Sequence, residues 1–252
     1  MTLAGRVALV TGGGRGIGKA IALGLAEDGA DVAVNYRRDA DAAQETVTEI
    51  ENLGRRACAY EASIDDVGQC EQMVAAAIAD LGHVDILVNN AGLASRGLRV
   101  ADTDPAELDR VLRTHAVGAW ACSKYVLPSM RTQPRGDIIM ISSAATLHLA
   151  GNSAPYNMAK AALEALAMTL AKEERRNNIH VNVVAPGLVD TEMGRRLVKG
   201  ALGVDDIRTM DERAAFGHVC TPEEVADAVR YLVSERASYV TGQRLGVDGG
   251  AF

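Results

Sequence analysis

The sequence predicts an α/β protein with one doubly wound parallel sheet of about seven strands, flanked on both faces by helices. Three observations predict this fold: short apolar runs alternate with longer amphipathic stretches, a glycine-rich turn follows the first run, and no repeat or Pro/Ser-rich linker interrupts the pattern. Nearly continuous apolar runs are typical of parallel strands buried on both faces. Repeated strand-helix-strand alternation then favours right-handed crossovers within a single domain spanning residues 1–252.

Seven segments have the pattern of a strand, and six have the pattern of a helix. The predicted strands are Val7–Thr11, Val32–Asn35, Ala57–Tyr60, Ile86–Asn89, Ile138–Ser142, Val181–Val184 and Arg244–Val247. The predicted helices span residues 17–28, 40–53, 67–80, 105–131, 154–176 and 222–234. The last helix has the clearest start, because Thr221 is a good N-cap, Pro222 suits the first helical position and two glutamates follow.

Residues 188–218 form the least regular segment of the sequence. They follow Pro186 and Gly187, and they combine mixed charge with further glycines, among them Gly194, Gly200 and Gly203. Two interpretations are open: a flexible flap that covers a substrate site, or a plain surface excursion.

Composition narrows the class of protein. The chain has 252 residues, of which 26 are basic and 33 acidic, giving a net charge of −7. Without a long basic stripe, nucleic acid is not an expected partner. Four cysteines without CxxC spacing indicate reduced thiols in the cytoplasm rather than a disulfide framework or a metal site. Apolar runs stay well short of about 18 residues and the N-terminus lacks a signal-peptide pattern, so no membrane span is expected.

The turn after the first predicted strand has the composition of a dinucleotide site. Residues 11–18 read Thr-Gly-Gly-Gly-Arg-Gly-Ile-Gly and open a helical pattern. Glycines allow a tight turn and let backbone N–H groups approach a pyrophosphate, which a helix N-terminus favours. A glycine turn without a ligand is the alternative, but the flanking strand and helix match a Rossmann-like site. The predicted cofactor contacts here are Gly12, Gly14, Arg15, Gly16, Ile17 and Gly18.

The second predicted strand indicates which nicotinamide cofactor binds. NAD sites usually place an acidic residue roughly 20 positions after the glycines, whereas arginine accommodates the 2′-phosphate of NADP. Here Asn35 and Tyr36 stand where that acid is expected, Arg37 follows them, and Arg15 lies in the glycine turn. Two guanidinium groups suit one phosphate, so NADP(H) is the expected cofactor. The alternatives are that Arg37 is a solvated surface residue and that NAD(H) binds.

Ser143, Tyr156 and Lys160 form the strongest catalytic candidate. Ser143 follows a predicted strand, at the end where ligands of open α/β sheets bind. Tyr156 and Lys160 are four residues apart on a predicted helix and therefore share one face. Carbonyl reduction needs a proton for the oxygen, and a nearby ammonium lowers the pKa of a phenol toward neutrality. A Tyr-x3-Lys pair by itself is usually surface packing.

Four motifs together resemble the short-chain dehydrogenase/reductase family over nearly the whole chain. They are TGxxxGxG at 11–18, NNAG at 89–92, Ser143-x12-Tyr156-x3-Lys160 and N-x3-PG-x3-T at 182–191. The resemblance implies that Tyr156 is the acid/base, that Lys160 lowers its pKa and binds the nicotinamide ribose, and that Ser143 binds the substrate oxygen. It also implies cofactor contacts at Tyr156, Lys160, Asn90, Ala91, Gly92, Pro186, Gly187, Val189 and Thr191.

Two positions depart from the pattern of that family. The family's Asp-aliphatic pair at the adenine corresponds to Ser63 and Ile64, which lack the carboxylate but retain a hydrogen-bonding group. The family's Asn-x2-Gly on the preceding long helix corresponds to His115-Ala-Val-Gly118. His115 either takes part in a proton relay from Lys160, since histidine titrates near neutrality, or fills the space of the asparagine without a proton role.

The resemblance is strongest to the 3-oxoacyl-carrier-protein reductases, which implies fatty acid metabolism and a 3-oxoacyl thioester substrate. His148 and Asn152, with Ser143 and Tyr156, are expected to line the substrate pocket. Four basic residues suit an acidic acyl carrier protein, although solvated helix faces explain them equally well: Arg131, Lys172, Arg175 and Arg176. Relatives that act on sugars, steroids or other secondary alcohols share the scaffold, and a non-catalytic dinucleotide-binding regulator is a third hypothesis. A homotetramer is implied by the resemblance alone.

Overall fold

Seven parallel strands form one sheet in the order β3-β2-β1-β4-β5-β6-β7, within the residues 2–251 that a computed structural model describes. This arrangement confirms the predicted doubly wound fold. Each predicted strand is present, with ends that move by at most two residues. The strands are β1 Val7–Val10, β2 Asp31–Tyr36, β3 Ala57–Glu61, β4 Ile86–Asn89, β5 Gly136–Ile141, β6 Ile179–Pro186 and β7 Arg244–Val247.

Helices connect the strands and cover both faces of the sheet. The α-helices of the described range are α1 Gly16–Glu27, α2 Ala40–Asn52, α3 Val67–Leu81, α4 Pro105–Leu112, α5 Gly118–Met130, α6 Ala145–His148, α7 Ala154–Glu174, α8 Glu192–Leu202 and α9 Pro222–Val233. The predicted start of α9 is confirmed, because Thr221 and Glu224 form a reciprocal capping box.

Each face of the sheet buries its own hydrophobic core. On one face Leu9, Leu87 and Met140 pack with α3, α5 and α7. On the other face Val10 and Val88 pack with α1, α2 and α9. Successive side chains of a strand point to opposite faces, so strands covered on both sides must be apolar throughout.

The strand order reverses between β1 and β4, which are hydrogen-bonded neighbours. At such a reversal the connections leave toward opposite faces, and a crevice opens beyond the carboxyl ends of the strands. All strands are parallel, so the residues that follow β1, β4, β5 and β6 meet at this one edge. We call it the carboxyl edge, and the opposite side the amino edge.

The predicted helix over 105–131 is divided in the structure. A π-helical turn, Arg113–Val117, separates α4 from α5 and contains His115. The extra residue of a π-turn leaves the apolar pattern on either side nearly unchanged, so sequence periodicity does not reveal it. Such turns are frequent at functional sites.

Residues 188–218 are more regular than the sequence indicates. They contain α8 and a 3-10 helix, Ile207–Arg213. Val198, Ile207 and Val219 form a small core separate from the two large ones, and this core holds the segment together.

Within residues 2–251, no helix is long and apolar enough to cross a membrane. The same range contains no cluster of three or more side chains suited to hold a metal ion. All four cysteines are free thiols.

Candidate active site

The glycine turn packs so closely that two of its positions require glycine. Gly12 has a φ of +63°, and a Cβ on Gly18 would lie 2.2 Å from the Gly12 carbonyl oxygen. Gly14 lies against α2, where a Cβ would come within 3.1 Å of the Ala43 backbone. α1 begins at Gly16, and no side chain caps its N-terminus. Its first N–H groups are therefore available to an anion.

The end of β4 braces this turn. The Asn90 side chain donates to the Thr11 carbonyl oxygen at 2.8 Å, and the Thr11 hydroxyl accepts from the N–H groups of Asn90 and Ala91 at 2.9 and 3.0 Å. Gly92 follows, and a Cβ there would lie 2.5 Å from the His115 ring. The three predicted contacts Asn90, Ala91 and Gly92 thus connect the glycine turn to His115.

Asn35 supports the turn from β2. Its side chain is buried, and Oδ1 accepts from the Gly12 N–H at 3.1 Å. Its Nδ2 lies 3.1–3.2 Å from the carbonyl oxygens of Tyr36, Tyr60 and Ala62. Both amide atoms already bind the protein, so Asn35 stabilises the turn, and its contact with a cofactor stays a prediction. Tyr36 is half-buried at the end of β2.

The two predicted phosphate ligands have different partners. Arg15 Nη1 lies 2.9 Å from Glu192 Oε2, and their side chains are 69% and 51% exposed. Arg37 and Arg38 are exposed and form no hydrogen bond or ion pair with another residue of the described part of the chain. The Arg15–Glu192 pair links the glycine turn to α8. Sequence reasoning missed Glu192 because it lies 177 positions from Arg15.

A carboxylate is present near the predicted adenine contact after all. The Ser63 hydroxyl donates to Asp65 Oδ1 at 2.5 Å, so the carboxylate of Asp65, which the sequence motifs do not include, lies next to the predicted contact. Ile64 is buried, and its side chain packs where a Cβ on Gly118 would collide at 2.3 Å. Gly118 therefore allows α5 to approach this loop.

Tyr156 and Lys160 lie on one face of α7, as their spacing predicts. Lys160 is buried, and its Nζ donates to the Ile141 carbonyl oxygen of β5 at 2.6 Å. The same Nζ lies 5.7 Å from the centre of the Tyr156 ring. Burial lowers the pKa of Lys160 to about 7, although the negative charge of Glu164 opposes this shift. Burial raises the pKa of Tyr156, and hydrogen bonding to the Ser143 side chain partly offsets that rise.

His115 completes the cluster from the π-helical turn. Its ring meets the Tyr156 ring edge-on, with centroids 5.4 Å apart and planes at 87°. Nε2 lies 2.8 Å from the Leu93 carbonyl oxygen and 3.2 Å from the Leu93 N–H nitrogen, whereas the buried Nδ1 has no hydrogen-bond partner. Burial, together with the positive charge of Lys160, lowers the pKa of His115 to about 3. The imidazole is therefore neutral at physiological pH, with Nδ1 as an unused acceptor when Nε2 carries the proton.

Ser143 follows β5 and is half-buried. Its Oγ accepts from the Ala145 N–H at 3.1 Å, at the start of α6. The structure thus brings Ser143, Tyr156, Lys160 and His115 together at the carboxyl edge, beside the residues that follow β1 and β4.

The segment after β6 reaches the same edge. The Gly187 N–H donates to the Val247 carbonyl oxygen at 3.0 Å, and Pro186 ends the strand. Thr191 is the N-cap of α8, where its hydroxyl accepts from the Gly194 N–H at 3.1 Å. Val189 is buried and pairs with Cys220 in an isolated bridge.

The predicted substrate residues lie between α6 and α7. His148 ends α6 and is exposed, as is Asn152, which has a φ of +62°. Leu147 and Leu149 of this segment are exposed apolar residues, and Met193, Leu197 and Phe216 of the segment after β6 are exposed as well.

The four basic residues considered for a carrier protein lie elsewhere. α7 runs from the carboxyl edge to the amino edge, so Lys172 lies about 24 Å along the helix from Tyr156, at roughly 1.5 Å per residue. Arg175 and Arg176 follow it toward the start of β6. Arg131 precedes β5 and donates from Nε to Glu174 at 3.0 Å. The structure does not bring these residues to the active-site edge.

Sequence reasoning also missed Glu164 and Arg244. Their side chains meet behind Ser143, with Arg244 Nε 3.3 Å from Glu164 Oε1. Arg244 lies on β7, 80 positions from Glu164, and neither residue belongs to the motifs that pointed to the site. Only the fold brings them together.

Comparisons with known proteins give matches over nearly the whole chain. A family model described as enoyl-(acyl carrier protein) reductase matches residues 12–251. Versicolorin reductase of Emericella nidulans is 36% identical over 99% of this chain and 97% of its own length. A 3-oxoacyl-[acyl-carrier-protein] reductase of Synechocystis is 36% identical over 98% of this chain and 97% of its own length.

The fold is shared with solved structures as well. A short chain dehydrogenase of Burkholderia cenocepacia, crystallised in complex with NADP, superposes with a TM-score of 0.91 and 34% identity, covering 100% of this chain and 99% of that one. The glycine turn, the Ser-Tyr-Lys cluster and these full-length matches lead to one conclusion. The chain belongs to the short-chain dehydrogenase/reductase family of oxidoreductases.

Proposed function

We propose that this protein is an NADP(H)-dependent oxidoreductase that transfers a hydride between nicotinamide and a carbonyl or secondary alcohol carbon. A 3-oxoacyl thioester is the first-choice substrate. One observation carries the proposal: a phenol, a buried lysine and a serine hydroxyl converge beside an uncapped helix N-terminus at the carboxyl edge.

The residues present fit a phosphorylated dinucleotide. The uncapped start of α1 offers N–H groups to the pyrophosphate, and Arg37 offers a guanidinium group that no protein carboxylate occupies within the described range. Arg15 adds a second guanidinium, which must share or exchange Glu192 for the 2′-phosphate. The Burkholderia relative, at 34% identity, has NADP in its structure. NAD(H) is the alternative.

The protein's own residues then deliver a proton. NADPH, held by the glycine turn and Arg37, would supply the hydride for the carbonyl carbon. The Tyr156 phenol gives its proton to the carbonyl oxygen, so that an alcohol forms. The Ser143 hydroxyl donates a hydrogen bond to the same oxygen and fixes its position. In the protein alone, burial keeps the Tyr156 pKa high. A protonated Lys160 and the positive nicotinamide of the oxidised cofactor would both lower the Tyr156 pKa and so oppose the effect of burial.

His115 is proposed to help restore the proton. Its neutral imidazole presents the unpaired Nδ1 within the cluster that contains Tyr156 and Lys160. An acceptor of this kind suits one ordered water, which would connect Lys160 to solvent without a charge on the histidine. Space filling without a proton role is the alternative, and replacing His115 with asparagine or phenylalanine separates the two.

The substrate and the partners remain part of the proposal. The Synechocystis relative supports a 3-oxoacyl thioester, and the exposed Leu147 and Leu149 beside His148 suit an acyl chain. A sugar, steroid or other secondary alcohol is the alternative, since a versicolorin reductase matches this chain at equal identity. The segment 188–218, with its own small core, is proposed to move as a flap. A homotetramer, docking of acyl carrier protein and a cytoplasmic location are expectations from family resemblance.

The central experiment compares the wild type with Tyr156→Phe. NADPH oxidation is followed by absorbance with acetoacetyl-CoA and a panel of ketones. We expect the variant to lose about 10³-fold in kcat, because the proton donor is gone. Tyr239→Phe, at a fully exposed tyrosine, is the matched control. Equal rates in the wild type and Tyr156→Phe, or no turnover of any ketone, would refute the proposed activity.

A second experiment tests the cofactor. Arg15→Ala and Arg37→Ala are each expected to raise the Kd of NADPH by roughly 10- to 100-fold, because a charge-assisted hydrogen bond to phosphate is lost. The Kd of NADH should change little, since NADH lacks the 2′-phosphate. Arg176→Ala at the amino edge is the control. A wild-type protein that binds NADH more tightly than NADPH contradicts the assignment.

A further inference from the structure

A cluster of polar side chains is centred on Glu164, next to the segment that carries Ser143. Ser142 donates from Oγ to Glu164 Oε1 at 2.6 Å, and the Thr146 hydroxyl lies 2.9 Å from the same oxygen. Arg244 Nε lies 3.3 Å from that oxygen too. One carboxylate oxygen of Glu164 therefore collects two hydroxyl groups and a guanidinium.

Arg244 also contacts the backbone of the segment between β5 and α6, which carries Ser143. Its Nη2 donates to the Ser143 carbonyl oxygen at 3.2 Å and to the Thr146 hydroxyl at 3.2 Å. The side chains of Arg244 and Glu164 are only 20% and 19% exposed. Partial burial and several shared partners distinguish this pair from an exposed ion pair, which contributes little.

The cluster joins the three elements on which the site depends. Arg244 comes from β7, Glu164 from α7, and the hydroxyl groups from the segment between β5 and α6. Glu164 is one turn beyond Lys160 and two turns beyond Tyr156, so all three share one face of α7. The pair therefore ties the segment carrying Ser143 to the helix carrying the phenol and the ammonium.

We propose that Arg244 and Glu164 are positioning residues, which hold Ser143 in register with Tyr156 and Lys160. This inference rests on the proposed function, because Ser143 must meet the same substrate oxygen as Tyr156. Neither residue touches the reacting atoms. The pair acts by fixing where the segment after β5 stands relative to α7, and misplacement by about 1 Å can lower a rate by as much as 100-fold.

The pair also has an electrostatic consequence with a definite sign. Lys160 faces Glu164 and Tyr156 from α7, His115 from the π-helical turn and the Ile141 carbonyl oxygen from β5. Burial lowers the pKa of Lys160, and Glu164 is the charge that opposes this shift. Arg244 binds that carboxylate and so weakens its effect. Removing Glu164 must lower the Lys160 pKa further, whereas removing Arg244 must raise it.

The test uses Glu164→Gln, Arg244→Gln and the double variant, with Glu173→Gln and Arg236→Gln as exposed controls. We expect each single variant to lose about tenfold in kcat for ketone reduction while the Kd of NADPH stays unchanged. The double variant should lose no more than the worse single variant, because both act through one pair. Losses that multiply, or a kcat equal to wild type, would overturn the proposal.

The pH readout separates positioning from a merely structural role. The pKa of Lys160 is measured by carbon-13 NMR of lysine-labelled protein, which has only five lysines, with Lys160→Met to assign the signal. Glu164→Gln should move the pKa down and Arg244→Gln should move it up. Shifts of the same sign, or none, would overturn the coupling. This measurement needs no turnover, so it tests the pair even if the Tyr156→Phe comparison defeats the proposed activity.

Discussion

The two edges of the sheet treat buried charge in opposite ways. At the amino edge, Asp137 at the start of β5 is buried between Arg6 and Arg135, with Nη2 of Arg6 at 2.8 Å and Nε of Arg135 at 3.0 Å. Asp31 at the start of β2 is likewise paired with two arginines. Both carboxylates meet cations and hydrogen-bond donors.

At the carboxyl edge the buried groups are not compensated in this way. The Lys160 ammonium donates to a carbonyl oxygen and has its acidic neighbour one helical turn away. His115 lies in the same cluster with an unpaired Nδ1. Burial lowers the pKa of both groups, to about 7 and about 3.

This difference indicates that the charged groups of the amino edge serve stability and those of the carboxyl edge serve chemistry. A buried ion without an adjacent counter-ion costs stability, and such cost persists mainly where function requires it. The contrast therefore predicts that substitutions at the carboxyl edge reduce activity with little loss of stability, while substitutions at the amino edge do the reverse.

The largest effect is expected from Lys160→Met. Ketone reduction should fall by about 10³-fold, because the charge that supports ionisation of Tyr156 is lost. The free energy of unfolding should rise by on the order of 1 kcal/mol at pH 6, because the variant no longer buries an ammonium.

The sign of this stability change follows from the pKa of Lys160. The folded-state pKa of about 7 lies below the ordinary value of 10.5, so burial penalises the charged form most below about pH 7. Between these two values the unfolded chain binds the extra proton, and wild-type stability rises with pH. Denaturant unfolding at pH 6 and pH 9 measures both. A variant less stable than wild type at pH 6 contradicts the argument.

Asp137→Ala tests the amino edge. Removing the carboxylate leaves Arg6 and Arg135 without their counter-ion, so the free energy of unfolding should fall by about 3–5 kcal/mol. The kcat of the molecules that remain folded should be unchanged. Asp109→Ala, at an exposed aspartate paired with Arg113, is the matched control and should change stability by less than about 0.5 kcal/mol. A large loss of kcat at constant stability would break the comparison.

The amount that the sequence reveals differs between fold and site. Strands buried on both faces are apolar throughout, so the sheet is visible in the chain, and the i, i+4 spacing of Tyr156 and Lys160 places them on one face of α7. The sequence does not predict short local features. α6 has only four residues, and the π-helical turn interrupts a helix without altering its apolar pattern. Residues 188–218 contain more regular structure than the sequence predicts, because the small core that orders them joins residues far apart in the chain, such as Val198 and Val219.

The pairs that refine the site escape for a different reason. Glu164 meets Arg244 across 80 positions, and Arg15 meets Glu192 across 177. Such contacts depend on how β7 and α8 return to the carboxyl edge, which no local pattern encodes. Lys172 on α7 shows a related limit. The sequence shows its charge, but only the structure shows how far it lies from Tyr156.

The pH dependence of the rate sharpens the contrast. Lys160 must be protonated to act on Tyr156, and its pKa in the protein without ligands is about 7. With both substrates far below saturation, kcat/KM for reduction should fall by about tenfold per pH unit above that value. A constant kcat/KM up to pH 9 would show that the burial of Lys160 does not control the rate. Lys172→Met at the amino edge should leave the profile unchanged.

The smallest effect is expected from His115→Asn. Because the imidazole is neutral above a pKa of about 3, replacing it with a neutral amide removes no charge and keeps an acceptor for water. We expect kcat to change by less than about tenfold, with no change in the pH dependence of the rate. His115→Phe fills the same space against Gly92 but offers no acceptor, so it should lose considerably more. If phenylalanine serves as well as asparagine, His115 only fills space. If both variants instead lose far more than tenfold, a charged imidazole takes part, which its burial beside Lys160 argues against.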